Sequence, residues 1–214
     1  MRIYDMKKKL FLIMVVGISV CMNITIFAAV HGVHEEKTNW KLDYPVVTIE
    51  SNPNVQNLIN EDLGRYIANL KADFAQGRFY NGGGHYKVHY EGSDILSISL
   101  YLTRYPYGAN GEHTRAVSIV YDKHTGKRIP LYNYVHVTPK DLDYYKNGHT
   151  YTQSGEKLEY KHLWHESIKC VPENYFLPGD GSVCLVFKPY ELSSGITYIK
   201  LDPRYIDYLN RKNK

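Results

Sequence analysis

Cysteine is nearly absent from this chain. Its 214 residues include three, Cys21, Cys170 and Cys184, which excludes a disulfide-dense scaffold and a cysteine-rich zinc module. Tryptophan is scarcer still, at two residues. No serine stands in a Gly-x-Ser-x-Gly elbow, the strained turn that presents a hydrolase nucleophile. No glycine-rich loop runs from a strand into a helix, so a phosphate cradle has no place to form. The run NGGGH at 81–85 follows a helical pattern and reads as a hinge or turn between helix and hairpin. There is no internal repeat and no low-complexity segment.

A charge of one sign is also missing. The formal net charge is +4, but residues 1–28 hold four basic residues and one acid. The rest carries 22 basic against 21 acidic residues, net +1. Nothing in that balance asks for a nucleic acid or an anionic membrane surface. Ten histidines raise the question of a metal. His85 and His89 are four apart on a strand pattern, and His162 and His165 are three apart on a helical one. Neither pair has a third ligand at zinc-site spacing, so no metal and no cofactor is expected.

What is present begins with an export segment. Arg2, Lys7, Lys8 and Lys9 precede an uncharged apolar run from Leu10 to Val30. Such a run marks residues 1–29 as a signal peptide or a signal anchor, with the rest of the chain outside the cytoplasm. Cleavage after Ala28 starts the mature chain at Ala29, whereas an uncleaved segment keeps it on the membrane. Residues 30–41 are polar, lack a period and read as a linker. Cys170 and Cys184 are close in sequence in an exported chain, which suggests one disulfide, with two buried thiols as the alternative.

The remainder reads as α+β, with antiparallel sheets, a few packing helices and one prominent N-terminal helix. That helix spans the segment from Asn52 to Gly77, where Val55, Leu58, Ile59, Leu63, Ile67, Leu70 and Phe74 fall at spacings of three and four. In DILSISLYLTRY, Leu96, Ile98, Leu100 and Leu102 form one apolar set and should face a core. The other set is Ile95, Ser97, Ser99 and Tyr101. RAVSIVYD reads as the next strand, with KRIPLYNYV returning from a tight turn. PKDLDYYK reads as a short helix, and so does KLEYKHLWHESIK. NYFLPGDGSVCLVFKPYEL suggests two strands, ITYIKLD a last strand and PRYIDYLNRK a terminal helix.

Tyrosine is the outlier, at 21 residues, twenty of them after the export segment. Its large face, polar tip and few torsions suit contact surfaces. The stretch YPYGANGEHT joins two strands through a loop longer than a tight hairpin needs. Its Tyr105, Tyr107, Asn110 and His113, beside Tyr101, are candidate ligand-binding residues on a rigid sheet. Gly108 and Gly111 are expected to take positive φ there.

The segments LDYPVV, YKVHYEGSDILSISLYLTRYPYGANGEHT and VYDKHTGKRIPL, with the helix between the first two, resemble a bacterial extracytoplasmic family. It pairs a DUF4163 (PdaC-type) domain with a DUF3298 domain. Gly108, Ala109 and Gly111 match the family's loop, with Asn110 where His is usual and Tyr107 where the first Gly often stands. Asp122, Thr125, Gly126 and Lys127 match its second motif. Gly181, Phe187, Pro189 and Tyr190 match its closing segment, which adds Tyr190 to the candidate ligand-binding residues.

The resemblance implies a DUF4163-like part over 42–109 and a DUF3298-like part over 110–214 in one compact unit. It also implies a binding role rather than catalysis. One family context is the external domain of the anti-sigma-V factor, which recognises lysozyme; another is an accessory domain beside a peptidoglycan deacetylase. The expected partner is therefore a protein such as a lysozyme-like wall hydrolase, or alternatively peptidoglycan. A hydrolase using Glu112 and His113 has no triad or carboxylate pair behind it.

Overall fold

The structure is a computed structural model, and it describes residues 28–164 and 166–214. Residues 1–27, most of the segment expected to direct export, and His165 lie outside the described residues. Among the described residues no helix is long and apolar enough to cross a membrane.

Two sheets carry the fold. Strands β1 (Ala29–Lys37), β2 (Trp40–Thr48), β3 (Asn81–Glu91), β4 (Ile95–Tyr105) and β5 (His113–Asp122) form the first sheet in chain order. All neighbours are antiparallel except β2 and β3, which run parallel over Trp40–Leu42. Helix α1 (Pro53–Ala75) makes that crossover. Asn52 caps it by accepting from the Val55 N–H, and Pro53 takes the first turn, where no amide donor is needed. Helix α2 (Pro139–Tyr145) opens with a capping box between Thr138 and Asp141. Strands β6 (Thr150–Thr152), β7 (Tyr175–Phe176), β8 (Val183–Phe187) and β9 (Thr197–Leu201) form a second antiparallel sheet in the order β6-β9-β8-β7. Helix α3 (Pro203–Lys212) closes the chain.

Residues 30–41, expected as a linker, form a hairpin instead, with a turn at 38–39 between β1 and the start of β2. β1 pairs along its whole length with β2, from Ala29↔Thr48 to Lys37↔Trp40. It is mostly exposed because it is an edge strand, so it carries no apolar alternation to announce it. The NGGGH hinge is also a strand. Gly82, Gly83 and Gly84 pair with Trp40, Lys41 and Leu42. A Cβ on Gly83 would stand 1.7 Å from the Lys41 carbonyl oxygen, at φ +158°. Glycine is required there for the close approach, not for a hinge.

The core has two storeys. Leu96, Ile98, Leu100 and Leu102 pack with Ile59, Leu63, Ile67 and Leu70 of α1, as their alternation predicts. The opposite set is not solvent-facing, because the second sheet covers it. Ser97 and Ser99 are fully buried, and Tyr101 packs with Phe176, Cys184 and Val186. Buried hydroxyls need partners. Ser97 Oγ accepts from the Leu177 N–H at 2.9 Å, and Ser99 Oγ lies 2.7 Å from Ser118 Oγ and 2.9 Å from His89 Nε2. A second cluster joins β8 and β9 to Leu142, Ile206 and Leu209 of α2 and α3.

Three expected features change. Among its described residues KLEYKHLWHESIK is not a helix; it holds one 3-10 turn, Tyr160–His162, and the Trp164 N–H bonds the Leu192 carbonyl. KRIPLYNYV is not a strand beyond its first residues, for Leu131–Asn133 is a 3-10 turn. Cys170 and Cys184 form no disulfide. Both thiols are free, Cys170 on an exposed segment and Cys184 buried between the sheets. Burial pushes the Cys184 thiol up to about 12, so it stays a thiol, as a small core side chain.

Candidate functional site

The loop from β4 to β5 gathers three tyrosines. Tyr80 stands with its ring 6.2 Å from Tyr105 and 5.5 Å from Tyr107. Tyr105 donates to Glu112 at 2.5 Å, which ties the two ends of the loop. Tyr107 is 68% exposed, and Asn110 and His113 are exposed as well. Gly108 takes the left-handed region at φ +73°; Gly111 does not. Tyr80 belongs to this cluster although nothing in the sequence pattern near it points there. Tyr105, Tyr107, Asn110 and His113 line neither of the two cavities below. Tyr101, placed beside them in the sequence, is buried under the second sheet.

Tyr190 stands elsewhere, on the turn after β8. It adopts φ +72°, is 70% exposed, and its ring centroid lies 5.9 Å from that of Trp164. It borders an open groove of about 1310 Å3. The floor of the groove is β5, through Arg115, Val117 and Ile119. Pro130–Thr138 forms one wall, Glu166–Tyr175 another, and Lys188–Leu192 closes an end. Tyr132, 66% exposed, stands on the rim with Tyr190.

The groove follows from how β5 loses its outer neighbour. The return segment bonds β5 only at its end: the Asp122 N–H donates to the Lys127 carbonyl and the Ile129 N–H to the Val120 carbonyl. After Pro130 the chain turns away in its 3-10 turn. Further along the edge Asn174 Oδ1 accepts from the Ser118 N–H, at 3.4 Å. Beyond that β5 is an open edge.

The wall is fixed to the body by charge. Lys146, nearly buried, donates to Asp143 at 2.7 Å and to the Glu166 carbonyl at 3.0 Å. Arg128 and Tyr121 both donate to Asp62 of α1. Burial alone raises the Asp62 pKa, but hydrogen bonds from Arg128, Tyr121 and Arg65 outweigh it and hold it at about 2.

A second cavity, of about 820 Å3, lies where β3 and β4 meet the ends of β6 and β9. His85 stacks on Tyr101 at 4.9 Å, and Thr152, Gln153, Ser154, Ser193 and Ser194 supply neutral polar groups. No carboxylate lines it. His89 does not join His85. It stacks on Phe176 at 3.7 Å, and burial pushes its pKa down to about 3. His89 and Ser99 form a hydrogen-bonded Ser–His pair, and Ser99 is fully buried beneath the second sheet. Among the described residues no group of His, Cys, Asp and Glu is placed to hold a metal ion.

No protein-family model matches the chain, and no curated protein sequence matches it. Solved structures do. A DUF3298-family member from Bacteroides fragilis aligns over 86% of this chain and 93% of its own, at 12% identity and a TM-score of 0.56. A DUF3298-family protein from Pseudomonas aeruginosa aligns over 85% and 93%, at 10% identity and a TM-score of 0.55. The chain has the fold of these DUF3298-family structures.

Proposed function

We propose that this protein is an exported, non-enzymatic recognition domain of the bacterial cell envelope that binds a protein partner in the β5 groove. The observation that carries the reading is the groove itself: about 1310 Å3, open, floored by a sheet edge and rimmed by exposed Tyr132 and Tyr190. Exposed tyrosines are enriched in protein-contact patches. The partner class is a lysozyme-like wall hydrolase, which the family resemblance implies. The test is direct binding of a purified lysozyme to the full chain. Tyr190→Ala and Tyr132→Ala should each weaken it by about 1 kcal/mol or more while melting temperatures hold. Binding that is unaffected by both substitutions would refute this site.

A second reading is a glycan-binding module for peptidoglycan. It is favoured by the smaller cavity, where the His85–Tyr101 stack lies among neutral hydroxyl and amide groups. Purified sacculi separate the two: retention of the full chain on sacculi, lost in His85→Ala and kept in Tyr190→Ala, would support the glycan module instead.

A further inference from the structure

The open stretch of β5 has a defined hydrogen-bonding pattern. In a regular antiparallel pair, the N–H and C=O of one residue point to the same side, and successive residues alternate. The β4–β5 register runs without a shift from Ile95↔Asp122 to Arg104↔His113. Ser118, Val120 and Asp122 make their extra bonds away from β4. By the same alternation Thr114 and Ala116 also point outward. Among the described residues no backbone or side-chain group pairs with their amides on that side. Two N–H donors and the carbonyls of Thr114, Ala116 and Ser118 therefore form an unused ladder along the β5 edge, beside the groove that Arg115, Val117 and Ser118 line. Edges of this kind pair with another chain unless something blunts them.

A ladder of alternating donors and acceptors at strand spacing is matched by a polypeptide backbone and by little else. The return segment demonstrates the match, since Lys127 and Ile129 already pair with the far end of the same edge. Side-chain charge narrows the choice. Arg115 is exposed and lines the groove; it makes no ion pair among the described residues, although Glu166, Glu173 and Glu191 line the same groove. An acidic residue across from it would form a cross-strand pair.

We infer that the groove takes its partner as an extended polypeptide segment, added as a strand to the β5 edge at Thr114–Ser118 with a carboxylate beside Arg115. This rests on the protein-recognition reading above and names the form that recognition takes. The backbone contacts supply affinity, and the alternate side chains supply selectivity.

The probe is a synthetic six-residue peptide alternating threonine and valine with one central glutamate, titrated into the full chain. We expect saturable binding with Kd of about 0.1–1 mM, as for a short strand without further contacts. The Thr114 and Ala116 amides should exchange quickly in the free protein and slow on peptide addition. Thr114→Pro removes one outward donor together with the Thr103–Thr114 hydroxyl pair across to β4, so it is compared with Thr114→Ala, which loses only that pair; the proline variant should weaken the peptide by about tenfold or more relative to the alanine one. N-methylation of alternate peptide amides should abolish binding. Arg115→Glu should weaken the glutamate peptide and favour its lysine counterpart.

Three results would overturn the inference. One is slow exchange of both amides in the free monomer, which means the chain itself covers the edge. Another is a dimer by sedimentation that Thr114→Pro dissolves, which assigns the edge to a second copy. The third is peptide binding indifferent to N-methylation. Lysozyme binding with unchanged exchange at both amides would refute strand addition and leave the recognition role standing. Peptide binding without lysozyme binding would keep the edge and refute that partner class.

Discussion

Asp62 on α1 and Arg128 on the turn after β5 are joined by two hydrogen bonds, Nε to Oδ2 at 2.6 Å and Nη2 to Oδ1 at 2.9 Å. Tyr121 adds a third at 2.7 Å, and Arg128 also reaches the Tyr66 hydroxyl at 2.8 Å. This bidentate pair pins the helix to the root of the groove wall. Asp62→Asn should destabilise the protein by about 1–3 kcal/mol, because Arg128 loses its counter-charge and one of the two acceptor oxygens is replaced by an amide donor. The carboxyl pKa is depressed to about 2 in the folded state. Its contribution is therefore present above the unfolded value near 3.8 and is lost as pH falls through about 2. Denaturant unfolding should show the gap between wild type and Asp62→Asn narrowing from neutral pH to pH 3; a constant gap would mean that the pair does not titrate with folding.

His89 works in the opposite sense. Burial holds its folded pKa at about 3, far below the ordinary 6.5. Between those values the unfolded chain binds a proton that the folded chain does not, so stability falls as pH falls through 6.5 towards 3. The slope is at most about 1.4 kcal/mol per pH unit. His89→Phe should flatten it, and an unaltered slope in that variant would place the acid sensitivity elsewhere.

The two cysteines should react differently. Cys170 is exposed and should be labelled by a thiol reagent in the native protein, whereas Cys184 should be labelled only on unfolding. Mass spectrometry of protein exposed to oxidant should find no Cys170–Cys184 bridge. A bridged native form would contradict the free thiols of this structure.

In the tyrosine loop only Gly108 has a positive φ, and a Cβ at Gly108 or Gly111 meets no atom within 4 Å. Gly108→Val should lower stability by about 1 kcal/mol or more through backbone strain, while Gly111→Ala should be nearly neutral. Equal melting temperatures for both variants would remove the turn from the account.

How much the sequence revealed depended on the range of the interactions. Helix α1 and the Leu96–Leu102 face were legible because one period names one buried side. Strand β1 was not, since an exposed edge strand has no buried face and its pairing with β2 is not written in its own residues. Ser97 and Ser99 alternate like solvent-facing residues, but a second sheet 80 residues away covers them, with Leu177 bonded to Ser97. Leu158, Leu163 and Ile168 are spaced by five, which fits no helix face, and their segment is fixed by contacts such as Trp164 to Leu192. Tyr190, named from the family resemblance, borders the groove proposed as the site, whereas Tyr105, Tyr107, Asn110 and His113 lie on a separate loop surface. The open edge of β5 could not be foreseen. It exists because the return segment turns away after Pro130, and Pro130 alone indicates a short strand without saying what its neighbour loses.

The central claim is that a protein partner is recognised in the β5 groove. Hydrogen–deuterium exchange of the full chain, with and without a saturating lysozyme, measures it most directly. The account predicts slowed exchange in Thr114–Ser118, Leu131–Val137 and Lys188–Leu192, with the Tyr105–His113 loop unchanged. Protection confined to that loop, or to the segments around His85 and Gln153, would contradict it.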